Sequence, residues 1–93
     1  MSAAASTSVD ARPSVSRHFR LQWEEAQSTW VLLYPEGMVK LNQSAAEIMR
    51  RCDGQRSVTE IVADLERTFN ANGLIDDVLA FLDMARKQRW IES

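Results

Sequence analysis

The sequence predicts an α+β fold: a small winged-helix-like domain in which a three-stranded antiparallel meander is followed by three helices. Three observations carry this prediction. Apolar residues alternate with a period of two over residues 19–25, and a run apolar on both parities follows at 29–34. From residue 44 the apolar spacing changes to three and four, the signature of helices docked by one face. Between them, VLLYPEGMVKLNQSAAEIMRRCDG at 31–54 packs a strand, a tight turn, a second strand, a helix start and a helix stop into one run with almost no slack.

Residues 1–16 are rich in Ala, Ser and Thr and show no periodicity. A mobile tail is therefore expected over 1–17, with the folded domain over 18–93. The tail lacks the apolar core of about 7–15 residues that a signal peptide needs. Phe19, Leu21 and Trp23 then alternate with Arg20, Gln22 and Glu24, which predicts a half-buried strand. Ala26-Gln27-Ser28 is a short connection. Residues 29–34 are apolar on both parities, as suits a central strand.

Tyr34-Pro35-Glu36-Gly37 is the next turn. Pro35 suits its second position, and Gly37 is expected to supply the left-handed residue of a three-residue loop. Residues 37–41 follow as an edge strand, which Asn42 stops. Ser44 lies three residues before Glu47, the spacing of a capping box, and Gly54 is expected to close that helix in the left-handed conformation. Its apolar stripe is Ala45, Ile48, Met49 and Cys52. Ser57 and Glu60 repeat the capping spacing before Val58, Ile61, Val62, Leu65 and Phe69. Residues 70–73 break this second helix. The third helix, about 74–88, has Asp76 and Asp77 in its first turn and Arg86 and Lys87 in its last, matching the helix dipole. Its stripe of Ile75, Val78, Leu79 and Leu82 is widened by Leu74, Phe81 and Ala85, which suits either a central core helix or a helix whose surplus apolar surface lines a groove. Trp90-Ile91 suggests a short final strand.

The chain has 93 residues, enough for one domain, and a formal net charge of -2. That balance disfavours nucleic acid, whose binders usually carry a basic footprint. No apolar run approaches the roughly 20 residues that span a bilayer. One cysteine, Cys52, allows no internal disulfide and fits a reducing compartment such as the cytoplasm.

Catalytic chemistry finds little footing. The single histidine, His18, stands at the tail boundary, and Cys52 falls on an apolar stripe. Asp76, Asp77 and Asp83 share one helix but not one face, so no metal site is expected. The three glycines are isolated, so no phosphate loop is expected. No cofactor is expected. Trp23, Trp30 and Trp90 suit packing, and Arg50, Arg51 and Arg56 form a short basic run interrupted by Asp53. A winged-helix fold raises nucleic-acid binding as the alternative. Its groove-entering helix would have to begin Val58-Thr59-Glu60 or with Asp76 and Asp77, and acidic side chains meet phosphate badly.

Leu21-Gln22-Trp23, Leu33-Tyr34-Pro35-Glu36-Gly37, Lys40-Leu41-Asn42, Asp53-Gly54 and Asp77-Val78…Phe81-Leu82…Trp90-Ile91 occur in an order and spacing that resembles the PqqD family. The resemblance spans about residues 20–91. Arg89 departs from it, since related domains often carry glycine before this tryptophan.

The resemblance implies a non-catalytic peptide chaperone of pyrroloquinoline quinone biosynthesis, a peptide-recognition element. Such domains bind the precursor peptide PqqA and present it to PqqE, a radical S-adenosylmethionine enzyme that crosslinks Glu and Tyr side chains of the peptide. The peptide is expected to add as a strand beside the third strand and to pack against the third helix. The expected contacts are Met38, Val39, Lys40 and Leu41 on the strand, and Leu79, Leu82, Asp83 and Arg86 on the helix. An edge strand supplies the physics, because its unpaired N–H and C=O groups accept another strand. The same edge suggests a homodimer at high concentration.

Overall fold

The computed structural model describes residues 7–92. Its elements in chain order are β1 (Ser14–Val15), β2 (Arg20–Glu24), β3 (Thr29–Tyr34), β4 (Gly37–Lys40), α1 (Gln43–Arg50), α2 (Val58–Phe69), α3 (Ile75–Lys87) and β5 (Ile91–Glu92). The expected meander is present as an antiparallel sheet of order β2-β3-β4, with β4 at an edge. The three helices follow it. Their buried stripes meet Leu32 and Leu41 of the sheet to form one core, with Leu32, Val58, Ile61 and Leu82 fully enclosed.

Several local expectations change. The β3–β4 turn is a two-residue loop, because Tyr34 pairs with Gly37 across it. Gly37 has φ 159°, far from the αL values near 57°. With Pro35 at the second position and no positive φ at Glu36, the link needs no left-handed residue. The cap of α1 is Asn42, not Ser44: its side chain accepts from the Ala45 N–H at 2.8 Å. Asparagine directly after the strand is as good an N-cap as serine and starts the helix sooner. Glu47 is thereby released to pair with Arg51 at 2.8 Å. Gly54 is left-handed as expected (φ 79°), but it follows the end of α1 by several residues, and its N–H donates to the Pro13 carbonyl.

The Ser57 capping box forms in full. Its helix start is completed from an unexpected direction. The Val58 and Thr59 N–H groups, left without intrahelical partners, donate to the carbonyls of Ala11 and Val9. Residues 7–16 therefore lie against the domain, while residues 1–6 of the expected tail fall outside the described residues. Pro13 is fully buried, and Ala11 and Val15 pack on the core. β1 pairs antiparallel with β5, Val15 opposite Ile91. This segment does have a period-two pattern, Ala11-Pro13-Val15, but its residues are small enough to read as coil.

Candidate binding site

Among the described residues, strand β4 is paired on one side only, and the register says which groups face each side. The Leu41 N–H donates to the Trp30 carbonyl, so residues 30 and 41 form a hydrogen-bonded pair. Such pairs alternate along an antiparallel ladder. Leu32 and Val39 are therefore the next hydrogen-bonded pair, and the backbone groups of Val39 point inward to β3. The N–H and C=O groups of Met38 and Lys40 point to the open side. Val39 and Leu41 turn their side chains to the core, where Leu41 is buried and Val39 packs on the buried cluster. Met38 and Lys40 are exposed.

Beside the end of β4 is a groove of about 310 Å³. Lys40 and Leu41 line it from the strand, Ile48 from α1, and Asp77, Phe81 and Met84 from α3, with Trp90 beyond. Asp77, Phe81 and Met84 stand at i, i+4 and i+7, one flank of the helix. Phe81 and Trp90 rings sit 6.3 Å apart. Trp90 is returned to α3 by a Schellman motif: its N–H donates to the Ala85 carbonyl, and the Arg89 N–H to the Arg86 carbonyl.

The four helix residues named from the sequence lie elsewhere on α3. Leu82 is fully buried in the core. Leu79 is partly buried and packs against that core. Asp83 accepts from the Thr7 backbone N–H at 2.7 Å and from its hydroxyl at 2.6 Å. These Thr7 bonds, the hydroxyl's first, hold the Asp83 carboxyl below the usual range. Arg86 borders a separate depression with Ser16, Arg17 and His18. The structure thus brings Lys40 and Leu41 together with Asp77, Phe81, Met84 and Trp90, and leaves Leu79, Asp83 and Arg86 off that flank. Position on the helix wheel relative to Val78, Leu82 and Ala85, the buried centre, separates the two flanks. Which flank meets β4 is a property of tertiary packing.

Other candidate chemistry is absorbed by the framework. Cys52 is buried, its thiol pushed up to about 12 by burial, and it donates to the Ile48 carbonyl. Arg50 lies 5.0 Å over the Trp30 ring. Arg51 pairs with Asp64 at 2.5 Å and with Glu47, and Arg56 lies 4.0 Å from Asp53. The basic run is thus occupied within the chain, which further weakens the nucleic-acid alternative. Among the described residues no group of three or more His, Cys, Asp or Glu is placed to hold a metal, and no helix is long and apolar enough to cross a membrane.

The family model for coenzyme PQQ synthesis protein D, PqqD, matches residues 29–91. The chain belongs to the PqqD family. A relative from Azotobacter vinelandii, named PqqA binding protein, is 53% identical over 87 residues, covering 92% of this chain and 95% of that one. One from Pseudomonas aeruginosa strain UCBPP-PA14, with the same name, is 54% identical over 86 residues, covering 91% and 94%. A solved structure is similar over 100% of both chains, with TM-score 0.80 and 27% identity. It is the solution NMR structure of the PqqD truncation of Methylobacterium extorquens PqqCD, described as a functional, stand-alone recognition element for ribosomally synthesised and post-translationally modified peptides.

The motif residues that carried the family resemblance gain a spatial meaning here. Lys40-Leu41, Asp77, Phe81 and Trp90 are distant in sequence and meet in one groove. Arg89, the departure from the family pattern, takes φ 65°, the left-handed conformation that glycine adopts most easily.

Proposed function

We propose that this chain is a non-catalytic peptide chaperone. It binds the precursor peptide PqqA as an added strand on the open side of β4 and presents it to the radical S-adenosylmethionine enzyme PqqE in the cytoplasm. The observation that carries the reading is the outward-facing backbone of Met38 and Lys40 beside a groove walled by α3. Outward N–H and C=O groups give affinity largely independent of the peptide's side chains, and the groove gives specificity. The names of the close relatives and the solved recognition element support the choice of peptide. Of the contacts expected from the sequence, Met38, Val39, Lys40 and Leu41 remain the proposed strand. Asp77, Phe81, Met84 and Trp90 replace Leu79, Leu82, Asp83 and Arg86 as the facing wall.

A pair of substitutions at one position tests strand addition. Lys40→Pro removes an outward N–H and leaves the inward ladder bonds of Val39 and Leu41 in place. PqqA affinity is expected to fall by about tenfold or more, the scale of a peptide carbonyl left unpaired. Lys40→Ala keeps the N–H and is expected to retain most of the affinity. Circular dichroism checks that both variants are folded. Equal PqqA affinity in folded Lys40→Pro and wild type, measured by calorimetry, would contradict the proposal.

A further inference from the structure

The groove beside β4 adjoins a second cleft. This one, about 300 Å³, lies between α1, α2 and the start of α3 and is walled by Ile48, Leu65, Phe69, Leu74 and Val78. Ser44, Ile48 and Asp77 border both spaces. Phe69 is 46% exposed there, although Val58, Ile61, Val62 and Leu65 of the same stripe are buried. Apolar surface left open beside a concave wall is surface that a partner can cover.

Asp77 stands at the junction. It forms no hydrogen bond or ion pair with the described residues. Glu47, the other carboxylate lining the second cleft, is already paired with Arg50 and Arg51. A carboxylate with apolar walls on both sides attracts a cation and repels an acidic side chain.

We propose that one extended peptide occupies both clefts, with a Lys or Arg side chain at Asp77 between two apolar side chains. One apolar residue packs on Phe81 and Met84, the other on Phe69 and Leu74. This rests on the strand-addition reading and adds to it the length and charge pattern of the peptide.

The test uses the isotope-labelled 93-residue chain and synthetic PqqA of the Azotobacter vinelandii relative. It is repeated with copies of the peptide in which each Lys or Arg is replaced singly by Gln. Amide shifts are expected at Lys40 and Phe81 and also at Phe69 and Leu74. One Gln replacement is expected to weaken binding about two- to fivefold, as for an ion pair at a surface cleft. That loss should vanish against Asp77→Asn, a near-isosteric change at an exposed site. Shifts at Lys40 and Phe81 with Phe69 and Leu74 unmoved would overturn the extended site and leave strand addition standing. Gln replacements that cost the same in Asp77→Asn as in wild type would overturn the cation pairing. No shift at Lys40 would remove the strand-addition reading and this inference with it.

Discussion

Two neighbouring residues on β4 do opposite work. Val39 spends its backbone groups on Leu32, whereas Lys40 offers its own to the open side. A proline at Val39 therefore tests the sheet and not the peptide. It is expected to cost about 1–3 kcal/mol of stability through a lost, buried ladder bond, visible as a lower denaturation midpoint. Arg89 makes the complementary case. A residue with a Cβ at φ 65° carries a conformational cost of about 1–2 kcal/mol, partly offset by the greater freedom glycine has when unfolded. Arg89→Gly is expected to raise stability by about 0.5–1 kcal/mol, or several degrees in Tm. An unchanged or lower Tm would mean that the arginine side chain contributes packing that offsets the strain. The outward parity of Lys40 was not legible from the sequence. Alternation places side chains, but only the register placed by the Leu41–Trp30 bond decides which amides face out.

The helices are held by different means. The end of α1 is tied to α2 by its C-cap residue Arg51, which reaches Glu47 on α1 and Asp64 on α2. The Asp64 carboxyl is held below the usual carboxylate range, first by the hydrogen bond from Arg51. A carboxylate with a lowered folded value stabilises fully above its unfolded value, about pH 4, and the stabilisation is lost as pH falls through the folded value. Asp64→Asn is expected to lower Tm at neutral pH and to flatten the acid limb of Tm against pH. A wild-type acid limb in the variant would contradict this role. The two flanks of α3 divide similarly, one toward the groove through Asp77, Phe81 and Met84, the other toward the N-terminal segment through Asp83 and Thr7. Periodicity made the helices, their buried stripes and the second capping box legible. It could not tell one flank from the other, because both border the same buried line of Val78, Leu82 and Ala85.

At the scale of the molecule, the two ends of the chain close on each other. β1 pairs with β5, and the carbonyls of Val9 and Ala11 satisfy the start of α2. This closure was hidden in the sequence because its bonds are made by backbone and its buried side chains are small. This two-stranded sheet is separate from the meander, whose two edges are β2 and β4. An open edge that accepts a peptide also accepts a second copy of itself. Dimers are expected at high concentration in sedimentation, and PqqA is expected to dissociate them. A strict monomer at all concentrations, or dimers indifferent to PqqA, would place any self-association elsewhere.

The proposed peptide strand pairs with alternate residues of β4, and amide hydrogen exchange reads that parity directly. With free protein, the Met38 and Lys40 amides are expected to exchange fast and Val39 slowly. With saturating PqqA, Met38 and Lys40 are expected to become protected while Val39 changes little. Binding that leaves Met38 and Lys40 as fast as before would contradict strand addition at this edge.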